Sequence, residues 1–172
     1  SLQSNQSEDL FGKSAQDHTH IKLNLSTANV ERDTDIIYMD GATLGWDNGL
    51  DATVFGGANQ NFSIYTELVA DNEGQHLGIQ SVPFVGFDEV IAIGVHSAKD
   101  TSIEISATLS NLPNTYQVYL EDRFLQTFTI LDASSKYSTT LTADLNGTGR
   151  YYLHTSSSAL NTTSYDLKPI SI

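Results

Sequence analysis

The sequence has no cysteine, three prolines, one methionine and one tryptophan in 172 residues. Without cysteine the chain cannot form a disulfide, hold a metal through thiolates or use a thiol nucleophile. Basic residues are also scarce, since eight Lys and Arg stand against 21 Asp and Glu and the net charge is −13. Such a charge repels the phosphates of nucleic acids and anionic lipids, so we expect no nucleic-acid partner. No apolar run reaches the ~18 residues that a membrane-spanning helix needs, so we expect no membrane insertion.

Short segments of alternating polarity fill most of the chain. In His20–Ser26, for example, Ile21, Leu23 and Leu25 lie on one face of a predicted strand. Roughly nine to eleven such strands are separated by turn signals, and no convincing helix is found. The pattern predicts an all-β fold, an antiparallel β-sandwich of the jelly-roll or Ig-like type with no substantial helix.

The pattern also divides the chain. Residues 1–17 are polar and without periodicity, so we predict a linker or N-terminal arm. Residues 18–156 form the predicted β-sandwich module, and residues 157–172 a C-terminal tail or final edge strand. Near the end of the module, Asp144–Gly149 is predicted to be a turn that precedes a closing strand at Arg150–His154.

One stretch, Tyr38–Ala52, gathers three carboxylates, one Asn, three glycines and the single tryptophan, without helical or strand periodicity. We predict a long ordered loop. Four of its side chains carry oxygen atoms of the kind that calcium prefers, and calcium tolerates irregular loops. They are Asp40, Asp47, Asn48 and Asp51. The spacing is not that of an EF-hand, and the same side chains could stabilise turns through backbone amides. A structural calcium site and turn stabilisation are therefore both open interpretations.

Aromatic side chains offer a second kind of site. Trp46 in the loop and Tyr65 in a predicted strand could stack on sugar rings and so bind a polysaccharide or a cell-surface glycan. Aromatic residues at strand spacing are more often packed inside a fold. Packing is therefore the alternative role for both rings.

Catalytic patterns are weaker, and we predict no catalytic residue. The five histidines are scattered, and neither a nucleophile elbow nor a zinc-binding helix motif occurs. A jelly-roll glycan-active enzyme is an alternative, because a pair of acids facing each other across a groove could cleave a glycosidic bond. The acids available for it are Glu67, Asp71, Glu73, Asp88, Glu89, Glu121 and Asp122. At Glu121-Asp122-Arg123 we predict instead a hairpin turn with a surface ion pair.

Several sequence blocks occur in an order that resembles a known module. They are Asp40–Thr43, Asp47–Ala52, Phe62–Thr66, Leu77–Ser81, Val90–Val95, Val118–Asp122 and Gly149–His154. Together they resemble an accessory β-sandwich module of large secreted and cell-surface proteins of Bacteroidetes, especially marine flavobacteria. In those proteins the module often precedes the C-terminal sorting domain of the type IX secretion system.

The resemblance implies a location and a modular use, and it carries over no catalytic residues. We expect a non-catalytic extracellular module of a larger secreted or surface protein. It would serve adhesion, carbohydrate binding or spacing between neighbouring domains of the same polypeptide. A further hypothesis is a structural domain that supports export through the sorting signal.

Overall fold

The computed structural model describes residues 18–54, 60–68, 74–84 and 90–157. The predicted arm and all but the first residue of the predicted tail lie outside them. The described residues form strands and no α-helix, which confirms the all-β prediction, and none belongs to a helix long and apolar enough to cross a membrane. The strands are β1 (Thr19–Ser26), β2 (Glu31–Tyr38), β3 (Ala52–Thr53), β4 (Ser63–Glu67), β5 (His76–Val82), β6 (Val90–Ser97), β7 (Ser102–Ser110), β8 (Gln117–Asp122), β9 (Thr127–Ile130), β10 (Tyr137–Thr140) and β11 (Leu145–Ser156).

Strand β1 shows how alternation builds the core. Ile21, Leu23 and Leu25 are fully buried, whereas Lys22 and Asn24 between them are partly exposed. Successive side chains of a strand point to opposite faces, so this sequence buries one face only. Because β1 pairs with β2 on one side and β7 on the other, its apolar face can pack only against the core beneath the sheet.

Hydrogen bonds join ten strands into one continuous path, β10-β7-β1-β2-β5-β4-β6-β11-β8-β9, and β3 attaches to β5. The sheet is nearly closed and barrel-like. Its two edge strands, β9 and β10, are consecutive in the chain and are joined by residues 131–136 alone. Apolar side chains from both halves of the path share a single core. Within this continuous path, the division into the two layers of a sandwich stays a prediction.

One strand pair departs from the predicted antiparallel arrangement. Strands β2 and β5 are parallel, with Tyr38 opposite Val82, whereas the other nine pairings among the described strands are antiparallel. A parallel pair needs a crossover connection of about a dozen residues or more. The chain between Tyr38 and His76 supplies that connection, and it includes the acidic loop (residues 39–51).

The predicted turn at Asp144–Gly149 is wrong. Strand β11 begins at Leu145, pairs with β6 as far as Gly147, and shifts its register before Tyr151. Gly147 and Gly149 have φ angles of 135° and 115°, which glycine adopts without steric cost. The glycines therefore form an irregularity inside one long strand, where a β-bulge lets the strand bend and continue.

The first and last described strands meet at one end of the fold. Thr19, the first residue of β1, lies opposite Tyr38. The buried Tyr38 hydroxyl is 3.1 Å from the Oγ1 atom of Thr155, close to the end of β11. The start of β1 and the end of β11 therefore lie near each other.

Candidate functional site

Asp51 anchors the acidic loop (residues 39–51) to the end of β5. Its carboxylate is 8% exposed and accepts the amide of Ser81 at 2.6 Å and the amide of Asp47 at 2.8 Å. The hydroxyl of Ser81 donates in return to the carbonyl of Leu50 at 3.1 Å. Burial raises the pKa of the Asp51 carboxyl, and the two amide bonds oppose that shift. The carboxylate thus joins the loop to the strand that follows the crossover.

Asp47 stabilises the first half of the loop. It accepts the amide of Thr43 at 2.6 Å and the hydroxyl of Thr43 at 2.9 Å. The indole nitrogen of the partly exposed Trp46 donates to the side-chain oxygen of Asn48 at 2.7 Å. Three of the four predicted calcium ligands therefore already accept protein hydrogen bonds, and the fourth, Asp40, is exposed. No group of three or more His, Cys, Asp or Glu side chains within the described ranges is placed to hold a metal ion.

Replacing Asp51 with Ala is expected to lower the free energy of unfolding by about 1–3 kcal/mol, because the buried amide of Ser81 loses its acceptor. Urea denaturation of the variant and the wild type measures the difference. Asp40→Ala is the matched control, since it removes an exposed carboxylate of the same loop and should change stability by less than about 0.5 kcal/mol. Equal effects of the two substitutions would contradict the anchoring role.

Thermal melting with EDTA and with added calcium tests the predicted metal site. A site occupied at 100 times its dissociation constant would add about 2.7 kcal/mol, and Asp40→Ala would remove that gain. Turn stabilisation alone gives the same melting temperature in both buffers. The hydrogen bonds of Asp47 and Asp51 favour this second result.

Tyr65 lies between two histidines on the face of β4 opposite the core residue Ile64. Its ring centroid is 4.1 Å from that of His76, and its hydroxyl is 3.2 Å from the Nε2 atom of His96. Tyr65 is only 1% exposed. A ring so covered cannot stack on a sugar without leaving its position, so its visible role is packing.

Two glycines make room for the Tyr65 ring. Gly94 lies directly opposite Tyr65 in the β4–β6 pair, and a Cβ atom at Gly94 would lie 2.1 Å from a ring carbon. A Cβ atom at Gly147 would lie 3.4 Å from the hydroxyl oxygen. An aromatic ring that covers a strand glycine replaces the packing that the missing side chain would provide. A glycine inside the apolar run of β6 is the sequence signal for this close approach.

A polar groove of about 530 Å³ lies beside His96, where β4 and β11 begin and β6 ends. Asn61, His96, Ser97, Asp144 and Asn146 are among the residues that line it. Burial, and then the charge of His76, lower the pKa of His96. The neutral ring uses Nε2 for its bond to Tyr65, and among the described residues Nδ1 has no partner.

Two buried hydroxyls lie near His96 along the strands. Ser63 lies directly opposite His96 in the β4–β6 pair, whereas Ser97 follows His96 in the chain and points to the opposite, core face of β6. These serines are 3% and 4% exposed, and within the described part of the chain neither Oγ atom has a hydrogen-bond partner. Buried hydroxyls in native proteins usually have a hydrogen-bond partner, which can be an ordered water.

A second polar cluster lies inside the fold near the two sheet edges. This Asp122 cluster consists of Asp122, Arg150, Tyr137 and Tyr151. Arg150 donates two bonds to Asp122, at 3.0 and 2.9 Å, and the Tyr137 hydroxyl donates a third at 2.5 Å. The hydroxyls of Tyr137 and Tyr151 are 3.3 Å apart. The cluster ties β10, at one edge of the sheet, to β8 and β11, the second and third strands from the other edge.

The predicted hairpin at Glu121-Asp122-Arg123 is present, but its acids are not at the surface. Arg123 pairs with Glu121 at 3.0 Å, yet Glu121 and Asp122 are both 0% exposed. Glu121 also contacts His154 at 2.7 Å. Position in β8 explains the burial of Asp122, because it follows Val118 and Leu120 on the core face at strand spacing. That spacing was the sequence signal for a buried carboxylate.

Comparison with known protein families assigns the chain to one of them. The profile of the family described as Domain of unknown function (DUF8693) matches residues 2–154. The chain belongs to this family. The match covers every described strand except the last two residues of β11. No curated protein and no solved structure matches the chain significantly.

The residues predicted as sites thus fall in two places in this DUF8693 domain. Trp46, Asp47, Asn48 and Asp51 bond with one another or with neighbours in the loop, and Asp51 also bonds to Ser81 of β5. Tyr65 lies apart from them, between His76 and His96. The groove beside His96 was not predicted, since its lining comes from three strands whose pairing no local pattern reveals.

Proposed function

We propose that this DUF8693 domain is a non-catalytic β-sandwich module of a larger secreted or surface protein, where it attaches the protein to carbohydrate. Spacing between neighbouring domains of the same polypeptide would be its second role. The resemblance to the Bacteroidetes modules supports the extracellular location. The net charge of −13 supports a partner other than nucleic acid or anionic lipid.

The burial of Glu121 and Asp122 supports the non-catalytic proposal for these two acids, while Asp71, Glu73, Asp88 and Glu89 lie outside the described residues. A glycan-active enzyme needs two carboxyl groups that reach the scissile bond across a groove. Both of these acids are 0% exposed: Asp122 is held by Arg150 and Tyr137 inside the fold, and Glu121 is covered by Arg123 and His154 on the outer face. Their carboxylates therefore support structure, and they have no route to a substrate in this arrangement.

Affinity electrophoresis in gels that contain single polysaccharides tests the proposal. The probes are the uncharged polysaccharides laminarin and galactomannan and the anionic polysaccharides alginate and carrageenan. We expect at least one of them to retard the protein, and we expect no new reducing ends after prolonged incubation with any of them. New reducing ends would identify an enzyme. Unchanged mobility in every gel would overturn carbohydrate attachment.

A further inference from the structure

We propose that the groove beside His96 is the carbohydrate-binding site and that it accepts an uncharged saccharide. This inference rests on the proposed carbohydrate attachment and names its site and ligand class. It moves the site away from Trp46 and Tyr65, the aromatic residues that the sequence suggested. The groove is instead a hydrogen-bonding surface, built where three strands meet.

The side chains of the groove match sugar hydroxyls, which both donate and accept. Asn61 and Asn146 are exposed, and neither side-chain amide makes a hydrogen bond within the described residues. Each amide offers two donor hydrogens and one acceptor oxygen. His96 adds its Nδ1 atom, which has no partner among the described residues. Hydroxyl groups of a saccharide could satisfy all three side chains, whereas an apolar ligand could satisfy none.

The charges around the groove select an uncharged ligand. Asp144 lines the groove, and one of its oxygens accepts only the amide of Lys99, at 2.8 Å. No Lys or Arg side chain is among the residues that line this groove. A uronic acid or a sulfated sugar would therefore meet a carboxylate without a compensating cation, in a protein of net charge −13.

The groove is also held in place before any ligand arrives. His96 lies between Ser63 and Asn146 in one row across β4, β6 and β11, with each pair directly opposite. The Tyr65 hydroxyl contacts the Nε2 atom of His96 at 3.2 Å, and the Tyr65 ring is fixed by its packing on Gly94. Polar groups on paired strands lose little freedom on binding, which favours affinity. Without an exposed ring to stack on, we expect a dissociation constant of about 1 mM.

Titration of ¹⁵N-labelled protein with laminarin and galactomannan oligosaccharides tests the site. We expect the side-chain amide signals of Asn61 and Asn146 to shift on titration. Asn146→Ala and Asn61→Ala are each expected to weaken binding about fivefold, the effect of one lost hydrogen bond. Both residues are exposed, so the melting temperature should not change. Asn114→Ala is the matched control, because Asn114 is an exposed amide near the start of β8, at the opposite end of the fold.

The outcomes separate the site from the function. Weaker binding by the groove variants, with the Asn114 variant unchanged, supports the proposal. Unchanged binding by all variants overturns the groove and leaves carbohydrate attachment standing. Binding to alginate or carrageenan but not to the uncharged sugars overturns the ligand class. Binding to none of the probes overturns the attachment itself.

Discussion

Replacing Asp122 with Asn should lower the free energy of unfolding by about 3–5 kcal/mol, because it leaves the guanidinium of Arg150 buried without a counter-charge. The Arg150 side chain is 13% exposed and that of Asp122 is 0% exposed. Asparagine keeps the shape of the side chain, so the loss reports the charge and its hydrogen bonds. Urea denaturation monitored by circular dichroism provides the measurement.

Asp33→Asn is the control for this substitution. Asp33 pairs with Lys22 at 3.4 Å, and about half of each side chain is exposed, at 48% and 40%. A surface pair of this kind contributes at most about 1 kcal/mol. A loss at Asp122 no larger than the loss at Asp33 would show that the Asp122 cluster does not hold the sheet edges together.

The same cluster predicts how stability depends on pH. Burial raises the pKa of Asp122, but the bonds from Arg150 and Tyr137 outweigh burial and lower it below its usual value. The ionised group therefore stabilises the fold above the unfolded pKa of about 3.9. That contribution is lost as the pH falls through the lower, folded pKa. Asp122→Asn should consequently flatten the acid limb of the stability curve.

Replacing Tyr65 with Ala should lower the free energy of unfolding by about 3–5 kcal/mol, as is usual for a buried aromatic ring. Tyr65 is 1% exposed and stacks on His76 at 4.1 Å. The same substitution opens the space above Gly94. Thermal and urea unfolding of the variant measure the loss.

A double-mutant cycle with Gly94→Ala tests whether the ring covers the glycine. In the wild type, the added methyl group would collide with Tyr65, and we expect a loss of about 1–3 kcal/mol. In the Tyr65→Ala background that collision is absent, so the same change at Gly94 should cost almost nothing. Equal costs in both backgrounds would rule out the close packing of Tyr65 on Gly94.

The local sequence pattern was sufficient to predict the structure where a strand packs one of its faces against the core. The alternation of β1 predicts its burial residue by residue. The turn-forming residues Asp71–Gly74 lie between two strand-like runs and predict that these runs pair antiparallel. The antiparallel pairing of β4 with β5 confirms this prediction. The parallel pairing of β2 with β5 has no local signal, because its strands are separated by the whole crossover. Gly147 and Gly149 look like a turn in sequence, and only the pairing partners of β11 distinguish a bulge from a turn.

The same limit applies to the candidate sites. The hydrogen bonds within the acidic loop are local, and turn stabilisation by Asp47 and Asp51 was one of the two interpretations that the sequence allowed. The groove beside His96 depends on the register of three strands, which composition and spacing do not determine. The burial of Asp122 could be predicted only in part. Its position in the strand indicated the core face, but its charge suggested the surface.

The proximity of Thr19, Tyr38 and Thr155 determines how such a module would be attached within a longer polypeptide. Chain segments that continued from β1 and β11 would leave the module close to each other. The module would then project to one side of the polypeptide and add little to the distance between its neighbouring domains. A pulling force along that polypeptide would act on the start of β1 and the end of β11. The groove beside His96, at the other end of β11, would stay exposed on the side away from the neighbouring domains.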